Sequence, residues 1–263
     1  MYAMMIVTYA LKKRYPPHKY QNECDTSCDI CGTERTVFHS FDNSCDTTCN
    51  LCSFKRTVAP HLRIINITPA TTSKDGKAVK KCVYCDGISS QREIKKIKSF
   101  ALTTSTYLYN GKVRTPGIVI KDSAGKRLDS KFYTVFYSSG RKNVGEYKVT
   151  VKLKGDYSGS KTLYFKIVPP KSKVTSVAAG KKSFTAKVSK KSTQVTGYQI
   201  QYATNKNFTG ASRKMVSNYT SVKHTFKNLK AKKTYYVRVR TFKRVGDKVY
   251  YSPYSAYKTV KTK

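Results

Sequence analysis

Eight cysteines, all between residues 24 and 85 of a 263-residue chain, are the side chains with the clearest chemistry. Cys24, Cys28 and Cys31 are spaced C-x3-C-x2-C and are followed by Arg35 and His39. Twenty-one residues on, Cys45, Cys49 and Cys52 repeat the spacing, followed by Arg56 and His61. The match extends to CDTSCDIC against CDTTCNLC, and to the approach segments His18-Lys-Tyr20 and His39-Ser-Phe41. Self-similarity at a fixed period marks a duplicated structural unit. A third, partial unit runs from Thr68-Pro-Ala-Thr-Thr through a turn at Asp75-Gly76 and Val79 to Cys82-Val-Tyr-Cys85. It reads as a small hairpin leading into a C-x2-C knuckle.

Three chemistries compete for these residues. Zinc suits them, because Cys3His is a tetrahedral set and C-x2-C places two thiolates around one ion. Each full unit then supplies its own set: Cys24, Cys28, Cys31 and His39, then Cys45, Cys49, Cys52 and His61. Cys82 and Cys85 need two partners from elsewhere, with His18 and His61 the spare candidates. Disulfides are the second option, since the cysteine count is even and units this small cannot bury a core without a staple. Three cysteines per unit, however, cannot pair within the unit. Redox catalysis by C-x2-C normally needs a helix N-terminus in an α/β fold, and nothing in the sequence suggests that fold. Spacing leaves zinc and disulfides both open; either role is structural.

CDTSCDICGTERTVFH, its copy and TPATTSKDGKAVKKCVYC together resemble the cysteine-rich repeats of large surface or secreted proteins of gut Firmicutes. The pattern there is approximately C-D-x-x-C-N-x-C-G-x-x-R-x-x-x-H. This sequence departs from it at Ser53, where Gly is usual, at Asp86 after the last C-x2-C, and by one extra residue before His61. The resemblance implies an extracellular or cell-surface location. The opening apolar stretch, Met1 to Leu11, has no basic residue before it and no small-residue cleavage site after it. Its flanks are wrong for a secretion signal, and the sequence reads as a fragment of a longer protein.

The elements around these units are dictated by the rest of the chain. Lys and Arg number 52 against 14 acidic residues, a formal net charge of +38. The imbalance is concentrated after residue 98, where 36 basic residues face 5 acidic ones; residues 1–98 hold 16 and 9. In Lys148-Val-Thr-Val-Lys-Leu-Lys154 and Tyr235-Tyr-Val-Arg-Val-Arg240 the charges alternate with apolar residues, which places them on the solvent face of a strand. Such a face is either simply solvated or a surface for anionic wall polymers, glycans or nucleic acid. No stretch approaches the length of a spanning helix.

The fold expected is mainly β: two antiparallel sandwiches preceded by Cys/His-rich repeats with little regular structure. An N-terminal segment (1–17) and the repeat region (18–98) precede a first sandwich (99–168), with Ile94 to Phe100 as a lysine-bearing linker. Short alternating segments at Tyr107, Ile118–Asp122, Phe132–Tyr137, Val144–Lys152 and Leu163–Val168 are broken by Gly, Asn, Asp and Pro. This region resembles bacterial immunoglobulin-like modules. Pro169-Pro170 forms a stiff joint.

The last module (172–262) resembles a fibronectin type III domain through Leu229-Lys-Ala-Lys-Lys-Thr-Tyr-Tyr-Val-Arg-Val-Arg240. Leu229 precedes Tyr235 by six residues. The resemblance implies a tyrosine corner at Tyr235, with Val237 and Val239 in the core. Phe184, Ala186 and Val188 form one strand, and Tyr198, Ile200 and Tyr202 the next. Val188 stands where the family usually has a core Trp.

Signatures of catalysis are missing from the sequence: it has no nucleophile elbow, HExxH motif or P-loop. The acids of the sandwiches, Asp122, Asp129, Glu146, Asp156 and Asp247, lie mostly in turn contexts, which disfavours a paired-carboxylate site. His224 reads as a strand-surface residue. Tyr250, Tyr251, Tyr254 and Tyr257 include surface tyrosines able to stack on sugars or bases, or to pair across strands. The reading is a non-enzymatic, extracellular spacer and adhesion protein whose cysteines hold either structural zinc or disulfides. Its partners would be anionic wall polymers, glycans or host surface proteins. Two alternatives are the accessory tail of a secreted hydrolase and a zinc-knuckle nucleic-acid binder. The acidic residues Asp25, Asp29, Glu34, Asp42 and Asp46 around the knuckles disfavour the latter.

Overall fold

A computed structural model describes residues 17–263; the apolar stretch from Met1 to Leu11 lies outside the described residues. The chain is mainly β, as expected, and divides into two compact units. One holds the Cys/His segments up to Asn66 together with Ala78–Arg92; the other holds Ile67–Lys77 together with Glu93–Lys263.

In the first unit, residues 17–62 form turns stitched by isolated bridges, Ser27 to Glu34 and Thr48 to Lys55. Strands β1 (Arg63–Thr68), β2 (Gly76–Cys82) and β3 (Ile88–Ile94) then make a three-stranded sheet in that order. Gly76 is obligatory: a Cβ there would collide with the backbone of Thr68, Pro69 and Ala70.

The second unit starts earlier than the linker expectation allows. β4 (Ile97–Leu102) follows β3 almost directly, and Ile94 and Ile97 are both buried. The segment Ile94 to Phe100 is therefore core and strand rather than linker, because its two isoleucines have apolar surface to bury. β5 (Thr106–Leu108), β6 (Ile118–Asp122), β7 (Tyr133–Tyr137), β8 (Gly145–Leu153) and β9 (Ser160–Val168) follow. β4 pairs with β6, and the second sheet runs β5-β9-β8-β7, with β5 and β9 parallel. Val149, Val151 and Leu153 alternate inward on β8, and on β9 the buried Phe165 and Ile167 stand opposite Tyr147 and Gly145 of the same face. Ala70 is drawn in as well: its N–H donates to Asp156 O, and its carbonyl accepts from Ser158, both at 2.9 Å.

The last sandwich comprises β10 (Val174–Gly180), β11 (Ser183–Val188), β12 (Gly197–Ala203), β13 (Ser212–Val216), β14 (Lys223–Phe226), β15 (Thr234–Val245), β16 (Lys248–Tyr251) and β17 (Lys258–Lys261). One sheet is β10-β11-β14; the other is β13-β12-β15-β16, with β17 also on β15. Phe184, Ala186, Val188 and Phe226 from the first meet Tyr198, Ile200, Val237 and Val239 from the second in one buried cluster. Tyr235 is buried, its Oη accepting the Lys230 N–H at 3.1 Å, and Leu229 packs on the cluster edge.

Two surface expectations are corrected here. His224 is buried, with Nε2 2.9 Å from the Ser221 carbonyl; only a protonated ring nitrogen satisfies that acceptor. Arg238 and Arg240 are half-covered rather than freely solvated. Arg238 lies between the rings of Phe208 and Tyr254, and Arg240 over Tyr251 and Tyr254. Their Nε atoms donate to the buried carboxamides of Gln201 and Gln199, which is why β12 is covered on both faces. Of the four late tyrosines, which were expected to include surface residues, Tyr257 is exposed, Tyr251 and Tyr254 are half-buried and Tyr250 is buried.

Candidate metal centres

The geometry begins with the knuckles. Each C-x2-C is a tight turn in which the sulfur of the first cysteine faces backbone N–H groups. The Ile30 N–H approaches Cys28 Sγ at 3.5 Å, Leu51 approaches Cys49 at 3.4 Å, and Tyr84 approaches Cys82 at 3.5 Å. The turns close by Cys28 N–H to Thr33 O, Cys49 N–H to Phe54 O and Cys82 N–H to Gly87 O. Gly32 and Asp86, each directly after a knuckle, sit at φ 68° and 54°. Asp86 adopts there the left-handed conformation that Gly supplies more easily.

Each knuckle then clamps the segment carrying the preceding histidine. Asp29 donates to Lys19 O at 2.9 Å, Asn50 to Ser40 O at 2.8 Å and Val83 to Leu62 O at 3.0 Å. The neighbouring residues are His18, His39 and His61. Their Nδ1 atoms lie 3.1 Å from Cys31 Sγ, 3.4 Å from Cys52 Sγ and 3.6 Å from Cys85 Sγ.

The leading cysteine of each unit serves the next knuckle instead of its own. Cys24 Sγ lies 3.5 Å from Cys49 Sγ, and Cys45 Sγ lies 3.6 Å from Cys82 Sγ. Three groups of side chains could hold a metal ion: Cys24, His39, Cys49, Cys52; Cys45, His61, Cys82, Cys85; and His18, Cys28, Cys31. All ten residues proposed from sequence are present, but the grouping within each unit is replaced by one that interlocks neighbours. The reason is local. Asn22 and Asn43 accept the N–H of Cys24 and Cys45 in Asx turns that aim these cysteines away from their own knuckles.

Arg35 and Arg56 brace this turn. Arg35 donates to Asp25 O and Asn22 O, both at 2.9 Å, and stacks 3.6 Å over Tyr20. Arg56 repeats the set with Asp46 O, Asn43 O and Phe41. Phe54 stacks on His39 with ring centroids 3.8 Å apart. The repeat period could have revealed Asn22, Asn43 and the arginine–aromatic pairs, since each recurs at 21 residues.

All eight thiols are free, and sulfur separations of 3.5 and 3.6 Å are far from the ~2.05 Å of a disulfide. Tetrahedral zinc, with Zn–S of about 2.3 Å, holds its sulfurs just under 4 Å apart, so these sets fit a metal ion. Their electrostatics agree. Burial and then neighbouring thiols push Cys24 up to about 12, and the same causes push Cys45 up to about 12. Burial also raises Cys28 and Cys49, but backbone N–H donors outweigh it and bring both down to about 6. For Cys82 the Tyr84 N–H leads, and the value is again about 6. In each closed set a raised thiol thus faces a lowered one, and a cation would take the place of the remaining proton.

Residues 168–257 match the fibronectin type III domain family. No curated protein matches the chain. Among solved structures it is similar to the chicken CNTN1 FN1-FN3 domains, at 16% identity and a TM-score of 0.32, over 72% of this chain and 77% of that one. Among the described residues no helix is long and apolar enough to cross a membrane.

Proposed function

We propose that this is a non-enzymatic, modular protein of the extracellular space or cell surface, in which zinc-stapled repeats and β-sandwiches form a spacer that carries an adhesive face. The observation that carries the reading is the pair of four-ligand Cys3His sets, each closed by protein ligands alone. Closed sets serve structure, whereas catalytic zinc keeps a position for water or substrate. The fibronectin type III match supports a modular architecture, and the extracellular setting follows from the kind of protein that uses such modules.

The adhesive face is the outer side of the β7-β8-β9 sheet. Lys148 pairs with Tyr164, Lys152 with Thr134, and Phe136 with Thr150, all on one side. Tyr164 and Phe136 are 58% and 54% exposed, unusually bare for strand aromatics. Rings flanked by lysines can stack on sugars while the ammonium groups meet anionic substituents. The test is binding of the chain to anionic wall polymers and acidic glycans at physiological salt. Binding should weaken in Tyr164→Ala and Phe136→Ala. Retention that vanishes at modest salt, regardless of polymer and of either aromatic, would reduce the face to nonspecific charge.

A further inference from the structure

The first ligand set is one donor short. His18, Cys28 and Cys31 converge as their counterparts do, with Nδ1 of His18 3.1 Å from Cys31 Sγ. The knuckle is equally well formed: Lys19 N–H approaches Cys28 Sγ at 3.3 Å and Ile30 N–H at 3.5 Å. In the second set the fourth donor, Cys24, stands fifteen residues ahead of His39; the corresponding position ahead of His18 is Ala3. Residues 1–16 contain no Cys, His, Asp or Glu. No further Cys, His or carboxylate joins this set among the described residues. The set is also the most open, with His18 and Cys31 exposed where His39 and Cys52 are half-buried. Thr33 stands where Phe54 caps His39, so no ring covers His18 from that side.

We infer that His18, Cys28 and Cys31 form a metal site with an exchangeable fourth position that takes a thiolate from outside this sequence. Two of the three clusters here hold a cysteine sulfur at that position, and all three knuckles close with the same hydrogen bond, from the first cysteine N–H to the carbonyl five residues on. An added thiol, whether a small molecule or a cysteine of another polypeptide segment, therefore meets a position shaped for sulfur. A three-ligand site of two thiolates and one imidazole also matches the donor set of zinc sites that admit an external ligand. The inference rests on the zinc reading of the two closed sets.

Cobalt(II) titration of the reduced chain separates the two, because thiolate-to-cobalt absorption scales with the number of thiolates bound. Three equivalents should bind, and adding 2-mercaptoethanol should raise the absorption of the weakest by about half, from two thiolates to three. Cys31→Ala and, separately, His18→Ala should lose that equivalent and the thiol response while keeping the other two. Two tight equivalents and no third, with thiol present, would overturn the open site alone. A third equivalent blind to thiol would overturn the exchangeable position. No binding at all would overturn the zinc reading itself.

Discussion

Cys24 and Cys49 place their sulfur atoms 3.5 Å apart although 25 residues separate them. The contact joins the first repeat unit to the second, and Cys45 joins the second to the third in the same way. Neighbouring units cannot then fold alone: each closed set needs a cysteine from the unit before it.

Metal removal should unfold the repeats and spare the sandwiches. Among described residues up to Asn66 the buried side chains are Cys24, Cys28 and Cys49, which is no core without a metal. Structural zinc contributes on the order of 10 kcal/mol to such units. After chelation, amide exchange should lose protection across 18–61 and remain unchanged on β8, β12 and β15.

Arg35 and Arg56 hold the turns that aim Cys24 and Cys45. Replacing Arg56 by Ala removes two hydrogen bonds from a charged donor and a stacked ring, a loss of about 2–3 kcal/mol. Metal affinity of the set containing Cys45 should fall, measured by competition with a chromophoric chelator. Arg56→Lys should not restore it, because an ammonium cannot make both bonds and stack.

Tyr235→Phe should lower the stability of the fibronectin type III domain by about 1–2 kcal/mol, read from its denaturant midpoint. The buried ring is kept, but the Lys230 N–H loses its acceptor.

Glu146 accepts from Lys248 at 3.0 Å and lies 3.5 Å from Lys166. The hydrogen bond with Lys248 holds the carboxyl below its usual range. A depressed carboxylate stabilises the fold above its unfolded value and loses that contribution as pH falls through the lowered one. Glu146→Gln should therefore cost a small amount, under about 1 kcal/mol, at pH 7. In thermal melts the difference from the parent chain should disappear in acid.

Much of this was legible in the residues. Alternation exposed most strands of both sandwiches, and Leu229 and Tyr235 marked the corner that the buried tyrosine occupies. Ten of the eleven residues in these groups were legible as candidate ligands, and His18 as a spare one, but their grouping was not. C-x3-C-x2-C looks the same whether its first cysteine turns inward or toward the next unit, and the Asx turn at Asn22 decides that through one backbone hydrogen bond. Arg238 and Arg240 misled for a related reason. Alternation assigns them to the outer face, but only distant partners, Gln199, Gln201 and Tyr254, decide that the outer face is covered. Ile94 and Ile97 sat among lysines, whose density concealed two core positions.

The interlocked grouping is tested most directly by alkylating metal-loaded Cys45→Ala and locating the modified cysteines by mass spectrometry. Cys82 and Cys85 should label at the rate seen in the metal-free chain, while Cys24, Cys49 and Cys52 stay protected. Labelling of Cys49 and Cys52 with Cys82 and Cys85 still protected would show that each unit binds its own metal, and would contradict the account.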